Sequence, residues 1–138
     1  MTAQPIDQRA DHPAPIRIAL VGHCTPDAAM LRSMLARALP GSAIELVNDE
    51  PALRDAKHAG LLLVNRVLDG SFGAVQSGIE LIRLLHADAS FAGRTMLVSN
   101  YPEAQAEAEA VGSHPGFGKS DLYDPETIAR VQTAAHGK

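Results

Sequence analysis

The sequence predicts an α/β fold: a doubly wound, five-stranded parallel sheet flanked by five helices. Short apolar, β-branched runs alternate along the chain with stretches whose apolar residues have helical spacing. Most of the helical stretches open on a proline next to polar or acidic residues, as helix starts often do. Residues 61–64 (LLLV) are continuously apolar, which is typical of a central parallel strand covered on both faces.

The first half of the chain contains three predicted strands and two helices. Gly22 ends the first strand, Thr25 supplies a hydroxyl cap ahead of Pro26, and Pro40-Gly41 ends the first helix. In order, we predict a strand over 16–21, a helix over 25–39, a strand over 43–47, a helix from 48 to about 58, and a strand over 61–64.

The second half repeats the alternation after a loop over residues 68–76. Its first helix has Ile79, Leu81, Ile82, Leu84 and Leu85 on the predicted inner side. We predict that helix from 77, a strand over 95–99, an Ala/Glu-rich helix from Pro102 to Gly112, a short strand over 116–119, and a last helix from Asp124.

Composition narrows the class of protein. The chain has 138 residues, which suits one domain, and a formal net charge of −4, which argues against a generic nucleic-acid binder. No apolar run is long enough to span a membrane. Cys24 is the single cysteine, so an intramolecular disulfide is excluded and a cytoplasmic location fits. Residues 1–14 are polar and predict a flexible N-terminal extension, and residues 15–138 predict the domain.

The architecture indicates where function lies. In doubly wound sheets, ligands and chemistry are found beyond the carboxyl ends of the strands. The candidate site residues are therefore those that end or follow a predicted strand: Gly22, His23, Asn65, Arg66, Ser99 and Lys119.

Local patterns at these positions resemble a known family. Residues 78–85 (GIELIRLL), Val98-Ser99 at the end of the fourth strand, and Lys119 at the end of the fifth are similar to the receiver domains of two-component response regulators, the CheY-like proteins. The resemblance covers about residues 16–136. It implies a flavodoxin-like fold, a role in signal transduction and no enzymatic activity.

The chain departs from the family's pattern where the family carries its chemistry. The resemblance places Asn65 at the position of the phosphate-accepting aspartate, and a carboxamide is a poor nucleophile. Gly22 and His23 stand where the family keeps an acidic pair for Mg²⁺, and neither supplies an anionic oxygen. With Arg66 and Lys119 as cations and no acid mapped there, we expect a pocket charge of at least +2. The pattern predicts a pseudo-receiver that works without phosphorylation, metal or cofactor.

Three alternatives stay open. The former phosphorylation pocket could bind an anion or a nucleotide through Arg66, Lys119 and Ser99. Asp69, four residues after Asn65, could serve as a displaced phosphate acceptor in a single-domain response regulator. His23 and Cys24 with His114 could bind a soft metal, although they lack paired ligand spacing.

The resemblance also implies a protein partner, such as a histidine kinase, a regulator or an output protein. The family's usual contact surface corresponds here to an interaction face of Tyr101, Glu103, Glu107, Phe117, Tyr123 and Arg130. A homodimer is a further candidate. Because the sequence ends at residue 138 without an output domain, we expect a stand-alone module that binds neither DNA nor membrane.

Overall fold

The computed structural model describes residues 15–136 and contains five strands and five helices in strict alternation. The predicted extension over residues 1–14 lies outside the described residues, as do residues 137 and 138. The elements are β1 (Arg17–Val21), α1 (Thr25–Ala38), β2 (Ala43–Val47), α2 (Glu50–Ala56), β3 (Leu61–Asn65), α3 (Gly78–Ala87), β4 (Arg94–Val98), α4 (Pro102–Ala110), β5 (His114–Phe117) and α5 (Pro125–Ala135).

All five strands belong to one parallel sheet with the order β2-β1-β3-β4-β5. The order reverses direction between β1 and β3, so the crossover helices cover both faces of the sheet. The fold class predicted from the alternation of patterns is therefore confirmed. The topological switch point lies at the carboxyl ends of β1 and β3, next to Gly22 and Asn65.

The core has two layers, one on each face of the sheet. Strand residues alternate between them: Ile18 and Leu20 pack toward α1 and α5, whereas Ala19 and Val21 pack toward α2, α3 and α4. Strand β3 is fully buried from Leu61 to Val64, as its continuous apolar run predicts. No helix within residues 15–136 is long and apolar enough to cross a membrane.

Two helix details differ from the prediction. Thr25 is the first residue of α1 rather than its cap, because the first helical bond runs from the Ala28 N–H to the Cys24 carbonyl oxygen. On α3, Leu81, Ile82 and Leu85 are buried, but Leu84 is 40% exposed. At 3.6 residues per turn, Leu84 lies on the flank of the buried stripe rather than within it.

The fifth strand begins and ends earlier than predicted. His114 already pairs with Met96, and the strand stops at Phe117, so Lys119 starts a short 3-10 turn (Lys119–Asp121) instead of ending the strand. The backbone N–H and hydroxyl of Ser120 both donate to Asn100 Oδ1, at 3.2 and 3.0 Å. These bonds pull the chain out of the strand direction directly after Gly118.

Candidate functional site

Four of the predicted site residues line one cavity at the carboxyl-end edge of the sheet. Asn65, Arg66, Ser99 and Lys119 surround a cavity of about 240 Å³, together with Val67, Val98, Asn100 and Tyr101. The strands place them there because β3, β4 and β5 are neighbours and end at the same edge. Gly22 and His23 lie at this edge too, but they do not line the cavity: loops and neighbouring side chains cover them.

Asn65 bridges backbone groups of two segments. Its Nδ2 donates to the carbonyl oxygen of Gly22 at 2.9 Å and to that of Val67 at 2.8 Å. Both acceptors are carbonyls, so both hydrogens of the amide are in use and the amide orientation is fixed by chemistry. A carboxylate at this position could donate neither bond. Asn65 therefore fastens the end of β3 to the end of β1, a role that an aspartate cannot fill.

Gly22 is closed off by the loop that follows β3. Its φ of 77° lies in the left-handed region, and a Cβ there would come within 2.6 Å of Leu68 Cδ2. The Gly22 carbonyl accepts from the Asp69 N–H at 2.9 Å, in addition to Asn65. The space beyond β1 is therefore filled by protein rather than open to a ligand.

The same loop is anchored along its length. The Ser71 N–H donates to the Asn48 carbonyl oxygen at 2.9 Å, and Phe72 is buried in the core layer that includes Leu81. Asn48 adds its own side chain: Oδ1 accepts from the Gly22 N–H and Nδ2 donates to the His23 carbonyl oxygen, both at 3.0 Å. Asn48 is not among the site residues predicted from the sequence; the signal that could have identified it is a polar amide directly after a predicted strand.

His23 is completely buried at the end of β1. Its Nε2 lies 2.9 Å from the Leu63 carbonyl oxygen, which can only accept, so Nε2 carries the hydrogen. Its Nδ1 is buried and has no hydrogen-bond partner among residues 15–136. Burial lowers the pKa of His23 to about 4, so the ring is neutral near pH 7. His23 thus donates a hydrogen bond to the backbone of β3 and adds no charge.

Lys119 is not a free cation. Its Nζ lies 2.5 Å from Asp27 Oδ2, and both side chains are about a quarter exposed. This hydrogen bond is also the main reason that the pKa of Asp27 is lowered. The expectation of a pocket without an acid, and hence of a charge of at least +2, is therefore wrong. Asp27 comes from the first turn of α1, where only the tertiary fold brings it to the end of β5.

The Lys119–Asp27 pair is expected to contribute little to stability. A partly exposed ion pair contributes about 0.2–1 kcal/mol after solvent screening and side-chain entropy are counted. We expect a double-mutant cycle with Lys119→Met and Asp27→Asn, measured by urea unfolding, to give a coupling below about 1 kcal/mol that shrinks in high salt. A coupling of several kcal/mol, insensitive to salt, would show that the pair is effectively buried.

Arg66 and Tyr101 form the wall of a second, larger groove. The Arg66 guanidinium carbon lies 4.9 Å from the centre of the Tyr101 ring, a cation–π distance, and Tyr101 is 54% exposed. Within residues 15–136, the Arg66 side chain has no hydrogen-bond or ion-pair partner. The groove measures about 650 Å³ and runs between α3 and α4; its lining residues are Arg66, Ser77, Ile79, Glu80, Tyr101, Glu103, Ala104 and Glu107.

The six residues of the predicted interaction face do not lie together in the structure. Tyr101, Glu103 and Glu107 lie together in the α3–α4 groove. Phe117 does not belong to an exposed face, because its side chain is 3% exposed in the core layer under α1 and α5. Tyr123 packs beside Arg37 of α1, whose guanidinium carbon is 5.0 Å from the ring centre.

Arg130 lies apart from the groove. It is on α5, and its Nη1 donates to the Gly116 carbonyl oxygen at 2.9 Å, so it borders β5.

Ser99 is largely buried, and its hydroxyl oxygen accepts from the Tyr101 N–H at 3.1 Å. Ser99 therefore fixes the turn that leads into α4.

The weak metal hypothesis fails on geometry. His23 and Cys24 follow the carboxyl end of β1, whereas His114 starts β5 and so lies at the opposite edge of a parallel sheet. No group of three or more His, Cys, Asp or Glu residues in the described part of the chain could hold a metal ion.

Comparison with known proteins defines the fold. No family model matches the sequence, and no curated protein matches it. Among solved structures, a response regulator from Chloroflexus aurantiacus matches with a TM-score of 0.71 at 16% identity, covering 89% of this chain and 99% of its own. A chemotaxis response regulator of Vibrio cholerae matches with a TM-score of 0.63 at 17% identity, covering 88% and 99%.

A third matching structure contains a phosphorylated aspartic acid, whereas the resemblance places Asn65 at that position in this chain. It is a response regulator protein from Burkholderia pseudomallei with a phosphorylated aspartic acid, with a TM-score of 0.57 at 14% identity, covering 88% of this chain and 66% of its own. At such identities the likeness concerns the fold. Together with the strand order and the five alternating helices, it shows that the chain has the flavodoxin-like fold of response-regulator receiver domains.

Proposed function

We propose that this protein is a signalling module of the receiver fold that acts by protein–protein contact and without phosphorylation. The observation that carries the proposal is the amide of Asn65, which donates to the Gly22 and Val67 carbonyl oxygens. The position where a phosphate acceptor would stand is used instead to tie β3 to β1. An amide nitrogen engaged in this way offers no nucleophile to a phosphoryl donor.

The surroundings of Asn65 support the same conclusion. Mg²⁺ needs several hard oxygen ligands, and the residues after β1 are Gly22 and a neutral, buried His23. The Gly22 carbonyl oxygen already accepts two hydrogen bonds. Lys119, which could otherwise neutralise a phosphoryl group, is held by Asp27. These contacts support a module that acts without phosphorylation.

The proposed contact surface is the α3–α4 groove. It combines the exposed Tyr101 ring with Glu103 and Glu107, and α4 contains no basic residue. Aromatic side chains with a polar rim are common in protein interfaces. The proposed partner is a protein, such as a histidine kinase, a regulator, an output protein or a second copy of this chain, and the proposed location is the cytoplasm. The net charge of −4 disfavours nucleic acid as the partner.

Incubation with acetyl phosphate and Mg²⁺, followed by intact mass spectrometry, tests the proposal. We expect no added phosphoryl mass, because neither the acceptor nor the metal site is available. Asp69→Asn is the matched control. An adduct on the wild type that disappears in Asp69→Asn would contradict the proposal and establish Asp69 as a displaced acceptor. An adduct that persists in this variant would contradict the proposal as well.

The anion-binding alternative has its own readout. Arg66 lacks a hydrogen-bond partner among the described residues and lines both cavities, so it is the residue on which an anion would be held. Thermal shift with phosphate, nucleotides and cyclic dinucleotides measures this directly, since a ligand of the folded state raises the melting temperature with concentration. A shift that disappears in both Arg66→Ala and Lys119→Ala would favour the alternative; no shift would leave protein contact as the function.

A further inference from the structure

We propose that Gln105 is a polar staple that fixes α4 on the sheet and holds the α3–α4 groove in a single arrangement. The inference concerns the mechanics of the fold. It rests on the proposed function only in assigning a use to the groove. Its basis is the way the Gln105 side chain replaces the missing pairing between β4 and β5.

The pairing of β4 with β5 is interrupted by one extra residue. Met96 pairs with His114, and Val98 pairs with Phe117, so two steps along β4 match three along β5. Pro115 has no N–H to contribute to the ladder. Gly116 approaches β4 so closely that a Cβ on it would lie 2.1 Å from the Leu97 carbonyl oxygen. The strand backbones therefore leave several polar groups without strand partners.

The Gln105 carboxamide satisfies these groups from α4. Its Nε2 has two hydrogens and lies 2.9 Å from the Leu97 carbonyl oxygen and 3.1 Å from that of Ser99; the Phe117 carbonyl oxygen, 3.4 Å away, already accepts from the Ser99 N–H at 2.9 Å. Its Oε1 accepts from the Gly116 N–H at 3.2 Å. One side chain thus connects the helix to both strands through three hydrogen bonds, two that it donates and one that it accepts.

Apolar packing alone anchors α4 weakly. Its buried residues are Ala104 and Ala108, which bring little apolar surface, whereas α3 buries Leu81, Ile82 and Leu85. The helix has nine residues, too few to be stable by itself. The position of α4 therefore depends on Gln105 more than on the core, and with it the positions of Tyr101, Glu103 and Glu107.

Hydrogen exchange on Gln105→Met and Gln105→Glu tests the staple without a partner. Methionine keeps the length but no polar group, and glutamate places acceptors against three carbonyl oxygens. We expect the amides of α4 and Gly116 to exchange at least about tenfold faster in both variants, with β1 and β3 unchanged. Gln132→Met is the matched control: Gln132 Nε2 donates to the Ala38 carbonyl oxygen, far from α4.

Two outcomes would overturn the proposal. One is α4 exchange that stays at the wild-type rate in Gln105→Met. The other is equal acceleration in every strand, which would mean a global loss of stability rather than release of one helix. If neither variant folds, the wild type decides: the side-chain amide protons of Gln105 should exchange much more slowly than those of the exposed Gln76. Equal rates would show that the staple does not hold. Because no partner takes part, these results are independent of the proposed function.

Discussion

Replacement of Asn65 by aspartate is expected to lower the free energy of unfolding at pH 7 by about 2–3 kcal/mol. The two hydrogen bonds to the Gly22 and Val67 carbonyl oxygens contribute about 1 kcal/mol each. The aspartate loses both donors and adds repulsion, because the carboxylate oxygen that takes the place of Nδ2 would face both carbonyl oxygens at the same 2.8–2.9 Å distances. Urea unfolding of the two proteins gives this difference directly.

Two other variants separate donor loss from repulsion. Asn65→Ala removes the donors without adding charge, so it should destabilise less than Asn65→Asp. Asn100→Asp is the matched control at the end of the next strand. The Asn100 Oδ1 accepts from the Ser120 N–H and hydroxyl, and a carboxylate can accept these bonds equally well. We expect this variant to remain within about 0.5 kcal/mol of the wild type.

The pH dependence of Asn65→Asp has a definite sign. Burial beside two carbonyl oxygens raises the pKa of the introduced carboxyl above its unfolded value of about 3.9. The folded state then binds the proton more tightly, so the deficit relative to the wild type should be smallest near pH 4, where the protonated carboxyl still lacks one of the two donors, and should grow as pH rises through the raised pKa. A variant as stable as the wild type at pH 7 would show that the site accepts a carboxylate, and would remove the basis of the proposed function.

The residues around Asn65 depend on one another through their hydrogen bonds and ion pairs. Asn65 holds the Gly22 carbonyl oxygen, and Asp69 of the covering loop holds it as well. Asp27 holds Lys119, and His23 is a buried, neutral ring. Under the proposed function, an aspartate at position 65 alone still has no anionic oxygen beside it at positions 22 and 23 to hold Mg²⁺. We expect Asn65→Asp to remain unmodified by acetyl phosphate.

The fold was predictable because its signals are local. The apolar run over 61–64 and the proline-containing helix starts identify elements by spacing within a few residues. The end of β5 is earlier than the sequence predicts, since it depends on bonds from Ser120 to Asn100 in the loop after β4. A turn made by a distant side chain leaves no periodic signal in the segment that it ends.

The location of the candidate site could be predicted from the sequence, but the contacts of its side chains could not. The rule that parallel strands end at one edge correctly brought Asn65, Arg66, Ser99 and Lys119 together. Asp27 was missed because it sits on α1 and its proximity to Lys119 is set by the packing of α1 against the sheet. Phe117 was placed on the interaction face by the family resemblance, whereas its position on β5 directs its side chain into the core layer under α1 and α5.

The second large effect is a loss of stability on mild acidification, caused by His23. The folded protein lowers the pKa of this ring from 6.5 to about 4, chiefly because burial penalises the charged form, with Lys119 as a further cause. The unfolded chain therefore binds the proton first. Above about pH 7 both states are neutral and His23 has no effect; as pH falls from 6.5 toward 4, the unfolded state is favoured by an amount on the order of 3 kcal/mol.

Denaturant unfolding from about pH 7 to pH 4.5 in the wild type and His23→Gln measures this effect. The amide of Gln can donate to the Leu63 carbonyl oxygen as the His23 Nε2 does, but it does not titrate in this range. We expect a steep decline in the wild type and a nearly flat profile in His23→Gln. The carboxylates Asp27 and Asp88 have lowered pKa values, so their contributions are lost only below about pH 4 and do not overlap.

His86→Gln is the control for histidines in general. The pKa of His86 is lowered by partial burial and by His114, and its Nε2 is 2.9 Å from Thr95 Oγ1. Because this ring is more exposed than His23, its removal should leave most of the wild-type decline in place. Parallel declines in the wild type and in His23→Gln would contradict the assignment. A loss of this size is a large share of the 5–15 kcal/mol typical of a domain. The folded state is therefore most stable when the buried His23 ring is neutral.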